Sequence, residues 1–167
     1  SKDGGKTWKR IFPTEDQIVS ETFSGDHANY KIETTKDSLY PSAGATSIRN
    51  IRVDPTDSDR IYFSMGNYFF YSIDGGKNWD RLTLDGAIDF IYADSQQDHV
   101  YVFSSGAVFL VHKSQWTYKK LSLPDQMEPA FSFTGGRVKG TEDVVFYALH
   151  NDEPQRGLGI EAPTTLW

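Results

Sequence analysis

The groups in this chain that could do chemistry gather in polar stretches that interrupt an otherwise strand-like sequence. GDHANYKIETTKDSLYPSAG carries His27, Tyr30 and Lys31, and HNDEPQRGLGI carries His150, Asp152, Glu153 and Arg156. A His or Tyr can act as general acid or base, and an Arg can pair with a uronate carboxylate or another anionic sugar group. These are groups that a polysaccharide lyase or a glycosidase uses, and they are also what any polar loop contains. A second set is Arg49 and Asn50 with Asp89 and Glu128. Two carboxylates facing one cavity suit acid/base hydrolysis of a glycosidic bond, whereas Asp89 beside Asp85 and Gly86 also reads as a turn residue. Tyr30 and Tyr40 are candidate platforms for sugar rings, whose C–H faces stack on aromatic planes. The candidates are therefore His27, His150, Asp89 and Glu128 for catalysis, and Tyr30, Tyr40, Arg49, Asn50 and Arg156 for substrate binding. The His residues do not make a metal-ligand spacing, cysteine is absent, and neither GDHANY nor TGGRVKG has a phosphate-binding glycine pattern. No metal and no cofactor is expected.

What must position these groups is a repeat. SKDGGKTW at 1–8 returns as SIDGGKNW at 72–79, each followed by a basic and then a hydrophobic residue, Arg10-Ile11 and Arg81-Leu82. Extended outward, IRVDPTDSDRIYFSMGNYFFYSIDGGKNWDRL aligns with FIYADSQQDHVYVFSSGAVFLVHKSQWTYKKL. Asp54 then matches Asp94, Ile61-Tyr62-Phe63 matches Val100-Tyr101-Val102, Gly66 matches Gly106, and Trp79 matches Trp116. The later copy keeps the Trp of the turn and has lost its Asp-Gly-Gly. A period of about 40 residues with short aromatic runs and tight turns predicts propeller blades of four antiparallel strands. In the best copy strand A is expected at Arg49 to Asp54, B at Arg60 to Met65, C at Tyr68 to Ser72 and D at Asn78 to Thr83. A partial unit follows, with its B strand at Val144 to Leu149 and its C strand from Thr164 to Trp167. Approximate repeats are 1–71, 72–112 and 113–167. About three repeats fall short of the four to eight blades of a closed propeller, so the chain is expected to be part of a larger one.

The S-x-D-G-G-K-x-W turn resembles the Asp-box, or bacterial neuraminidase repeat, with consensus S-x-D-x-G-x-T-W. The resemblance covers most of the chain, since the flanking strands fit the family's blades as well. It implies an all-β propeller with the box in the hairpin between strands C and D. Rebuilt from the residues, Asp3 or Asp74 accepts backbone N–H bonds across the turn, Gly5 and Gly76 with their neighbours supply positive φ, and Trp8 or Trp79 packs on the sheet. These are structural roles. The family includes sialidases, xyloglucan-degrading glycosidases and other polysaccharide-processing enzymes, together with non-enzymes such as the sortilin ectodomain and a photosystem II assembly factor, so fold alone does not supply function. DPTDSDRIYFS is most similar to xyloglucanase-like and generic bacterial members, while the arginine signature of sialidases and the carboxylate motifs of xyloglucanases are not found. The resemblance implies a carbohydrate-active protein, a glycoside hydrolase or polysaccharide lyase acting on a complex or acidic polysaccharide, and extracellular, periplasmic or at the cell surface. The alternative is a non-catalytic glycan- or protein-binding module.

Strand order places the box and the A to B turn at one end of each blade and the B to C and D to A connections at the other. The insertions, 13–47 and 150–160, both fall on connections of that second end, and long connections in a compact repeat fold are usually functional or disordered. Composition agrees with an all-β chain: 14% of residues are aromatic, with 9 Tyr, 11 Phe and 4 Trp, and no long stretch has helical periodicity. The net charge of -6 favours neither nucleic acid nor an anionic membrane as partner. No transmembrane stretch or signal peptide is present in the sequence.

Overall fold

In the computed structural model the described residues are 1–24, 27–32, 47–104, 107–122, 130–151 and 164–166. They form an all-β structure whose one helical element is a 3-10 turn at Glu15–Gln17. Strands β3 (Ile48–Val53), β4 (Ile61–Met65), β5 (Tyr68–Ser72) and β6 (Asp80–Thr83) make one antiparallel four-stranded sheet. Strands β7 (Ile88–Ala93), β8 (His99–Ser104), β9 (Ala107–His112) and β10 (Tyr118–Ser122) make a second in the same order. A third sheet holds β11 (Ala130–Arg137), β12 (Val144–Asn151) and β13 (Thr164–Leu166). Ahead of them β1 (Ile18–Ser24) pairs with β2 (His27–Ile32). The stretch 13–47, expected as an insertion without named strands, thus contains a hairpin. Strand β6 begins at Asp80, not Asn78, because the Asn78 N–H and side-chain amide both turn back to Asp74, at 2.9 and 2.6 Å.

The sheets stack face to face because their strands are apolar on both sides. Strand β4 is buried along its whole length. Its Tyr62, with Phe69, Tyr71 and Leu84, meets Ile88, Ile91, Val100, Val102, Phe109 and Val111 of the second sheet. Phe63, Met65 and Phe70 face the other way, toward Phe12 and Trp79. The pattern repeats one sheet on, where Phe103 and Val108 pack on Phe133 and Ala148 of the third sheet. Each four-stranded sheet is therefore a slab between two aromatic-rich layers, and the alternation of β4 and β8 decides which side chain serves which layer.

Charge locks the seams between slabs. Asp54, just past β3, is 3% exposed and its carboxylate accepts bonds from Thr56 N (3.0 Å), Thr56 Oγ1 (2.6 Å) and Tyr62 Oη (2.8 Å). From the next sheet's β9–β10 turn, Lys113 Nζ reaches Asp54 at 2.8 Å and donates to the Asp94 carbonyl at 2.9 Å. Asp94 occupies the matching place in the second sheet, is 2% exposed, and receives Arg137 from the third sheet at 2.5 Å. One repeat position thus pairs twice with a cation from the following sheet. Burial opposes ionisation of Asp54, but the bonds from Lys113, Thr56 and Tyr62 outweigh it and hold its pKa at about 2. Burial likewise opposes ionisation of Asp94, and Arg137 and the Gln96 N–H outweigh it, so that carboxyl is lowered too.

A carboxyl whose pKa is lower folded than unfolded contributes stability above the unfolded value of about 3.9 and loses it as pH falls toward the folded value. For Asp54 this places the loss between roughly pH 5 and pH 2 and makes it about 2 kcal/mol. Urea unfolding followed across that range should show a steep fall in stability. D54N should unfold more easily at pH 7, by about 3–5 kcal/mol for the stranded Lys113 charge, and lose less on acidification than the parent.

Candidate functional site

Turn geometry fixes the two ends of the stack. Gly75 N donates to Asp59 O at 2.8 Å, which ties the C to D turn to the A to B turn at one end. At the other end Ile88 N donates to Gly66 O and Leu84 N to Asn67 O, both at 2.9 Å, so the B to C hairpin and the D to A connection lie together.

The two S-x-D-G-G-K-x-W turns are built alike. Asp74 accepts Ser72 Oγ (2.9 Å), Lys77 N (3.1 Å), Asn78 N (2.9 Å) and Asn78 Nδ2 (2.6 Å), while Ser72 Oγ accepts Gly76 N at 2.9 Å. Asp3 accepts Ser1 Oγ (2.8 Å), Thr7 N (2.9 Å) and Thr7 Oγ1 (2.7 Å), and Ser1 Oγ accepts Gly5 N at 2.7 Å. Bonds from Asn78, with smaller ones from Ser72 and Lys77, hold Asp74 at about 2. Thr7 and Ser1 do the same for Asp3, also at about 2. A carboxylate this acidic and this occupied is no proton donor near neutral pH; it is the staple of the turn.

The opposite end holds the described part of the predicted cleft. Each sheet's first strand is irregular there: the pairing slips between Arg49 and Arg52 in β3, between Ile88 and Phe90 in β7, and between Ala130 and Ser132 in β11. Bulges of this kind re-aim side chains. Asn50 takes a left-handed φ of 52°, and its Nδ2 donates to Ser64 Oγ (3.1 Å) and, across the seam, to Ile88 O (3.4 Å). Ser64 Oγ in turn donates to Arg49 O at 3.2 Å. Arg52 reinforces the seam through Nε to Ile91 O at 3.1 Å, with its guanidinium 5.3 Å over Phe90. Asn50 is thereby held against the residue that precedes Asp89, and Arg49 and Asp89 are both exposed at these bulges.

The remaining predicted residues fall elsewhere. His27 and Tyr30 lie on β2, opposite Ser24 and Glu21, and His150 lies on β12 between Ala130 and Thr165. Tyr40, Glu128, Arg156 and the neighbouring Asp152 and Glu153 lie outside the described residues. Trp116, the Trp kept by the later copy of the turn, stacks on Tyr71 at 3.6 Å and 9°, filling the seam. Among the described residues no group of His, Cys, Asp and Glu is placed to hold a metal ion.

Sequence reasoning missed a groove of about 320 Å³ at the end that carries the S-x-D-G-G-K-x-W turns, between the A to B turns of the two four-stranded sheets. It is lined by Thr56, Asp57, Arg60, Ser95, Gln96, Gln97, Asp98 and Lys113. Its charges are largely matched. Arg60 bonds Asp57 at 3.2 Å and the Lys113 carbonyl at 3.1 Å, and Asp98 sits 3.2 Å from His112 Nε2. Such a groove offers many donors and acceptors for a polyhydroxylated ligand and no unpaired acid. The signal in the sequence was the Asp59-Arg60-Ile61-Tyr62 run repeated as Asp98-His99-Val100-Tyr101, which places Asp98 opposite Asp59.

The turn network predicts unequal costs for one substitution made twice. D74A should destabilise the chain by about 2 kcal/mol, from the loss of several charge-assisted bonds. D3A removes the same kinds of bond from a fully exposed turn and should shift the denaturation midpoint much less. No protein-family model, curated protein or solved structure matches the chain.

Proposed function

We propose that this chain is a run of Asp-box blades from a larger β-propeller that acts on carbohydrate, as a glycoside hydrolase or polysaccharide lyase of the periplasm, cell surface or extracellular space, with the bulged ends of the first strands as its cleft. The observation that carries the reading is the matched bulge of β3 and β7, where Asn50 bridges to Ile88 and Arg49 and Asp89 are exposed on neighbouring strands. An exposed carboxylate and an exposed cation at the same end of adjacent sheets can orient sugar hydroxyls and exchange protons with them. The duplicated turns support the family reading, because Asp3 and Asp74 are consumed by the fold and leave the chemistry to the other end. The seam groove favours a second reading, a glycan-binding module without catalysis, since its acids are already paired.

Incubation with a panel of plant, algal and host polysaccharides, with products analysed by mass spectrometry, separates these readings. Products that have gained water are the expected outcome, and D89N should then lower the rate by about 10²–10⁴-fold, the range for losing a general acid or base. Unsaturated products would move the chemistry to His27, Tyr30, His150 and Arg156. Absence of any product, with retention on a glycan array, would establish the binding module.

A further inference from the structure

We infer that the turn Ser1–Trp8 is a receptor for a segment of the basic–aliphatic–aromatic type found at Arg10-Ile11-Phe12, supplied by a further blade. The template is the second turn of the same chain. There Trp79 Nε1 donates to the Ile11 carbonyl at 2.8 Å as well as to Gly76 O at 3.2 Å. The Phe12 ring meets the Trp79 ring edge-on at 5.7 Å. Ile11 lies so close to Gly76 that a Cβ at that glycine would come within 2.8 Å of the Ile11 Cβ. Glycine is needed there both for its φ of 82° and for this approach.

The first turn has the same frame. Trp8 Nε1 donates to Gly5 O at 3.1 Å, and Gly5 has a φ of 89°. Yet Trp8 is 81% exposed, and a Cβ at Gly5 would touch only the Trp8 ring itself, at 3.9 Å. The indole N–H, the open glycine and the aromatic face that the second turn uses to hold Ile11-Phe12 are all present in the first.

The outer face of β3 is open as well. Ile88 and Ile91 of β7 are 3% and 0% exposed beneath the preceding sheet, whereas their counterparts in β3, Ile48 and Ile51, are 47% and 58% exposed. By the same template, what covers Ile48 and Ile51 is the sheet that carries the turn Ser1–Trp8 itself, and the segment that Trp8 receives lies one sheet further out. The inference rests on the blade reading above but on no activity, so a failed docking test and a failed polysaccharide assay are distinguishable.

The test tethers a second copy of residues 9–16, KRIFPTED, to Ser1 of the full chain through a flexible Gly/Ser linker, giving an effective concentration on the order of millimolar. The readouts are the Trp8 indole N–H resonance, assigned with W8F, and protection of Trp8 fluorescence from acrylamide. A shifted indole resonance and lower quenching are expected. Both should vanish when the tethered copy carries I11D and F12D, while the Trp79 resonance stays in place. A Trp8 signal that is unmoved by the tethered segment, or moved equally by the charged version, would overturn the inference. So would a dimer of the untethered chain that W8A dissociates, since the receptor would then serve a second copy.

Discussion

A buried cation holds the two four-stranded sheets in register. Lys113 comes from the β9–β10 turn of one sheet, yet it ends on the Asp54 carboxylate of the sheet before it and on the carbonyl of its own sheet's Asp94. Removing a lysine from water is costly, and the cost is offset only where partners are close and their remaining lone pairs are filled. Thr56 and Tyr62 fill those of Asp54. Because Asp94 repeats the arrangement with Arg137, position and charge propagate from sheet to sheet. Apolar faces alone would tolerate sliding; two directional locks at matched positions do not.

Around these locks the aromatic layers divide the work. Tyr62 and Phe63 are neighbours in sequence but serve opposite layers, one beside Trp116 and the other beside Trp79. The tryptophans of the C to D turns in the first two four-stranded sheets reach an aromatic layer between slabs, through Phe12 and Phe63 for Trp79 and through Tyr71 for Trp116. That shared task explains how the third turn could lose its Asp-Gly-Gly and keep its Trp. The seam contact is retained, while Trp116 now takes a left-handed φ of 52° to achieve it. The same rigidity positions the bulges at the far end, where Asn50 and Arg52 both donate across the seam to β7.

Much of the fold was legible because it rests on local, repeated chemistry. Strand β5 runs from Tyr68 to Ser72 as expected, framed by the Gly66-Asn67 hairpin and the Asp74 turn. The β1–β2 hairpin was not legible, since ETFSGDHANY mixes polar and apolar residues without a clean alternation. The start of β6 was misplaced because a side chain, Asn78, bonds as the turn requires and not as a strand does. Asp89 was a candidate from its place at a strand start, but its bulge and the Asn50 bond to Ile88 depend on pairing between residues far apart in the chain. Lys113 was missed for a similar reason: a lysine in a degenerate turn reads as solvated, and only the partner sheet reveals why it is 6% exposed.

The central claim is that the Lys113–Asp54 pair couples adjacent sheets, and a double-mutant cycle of D54N, K113M and the combined variant in urea unfolding measures it most directly. The account predicts that each single change is costly and that the pair together costs clearly less than their sum, with a coupling of about 1–3 kcal/mol. Additive effects, with coupling near zero, would contradict it and leave the stack to its aromatic layers alone.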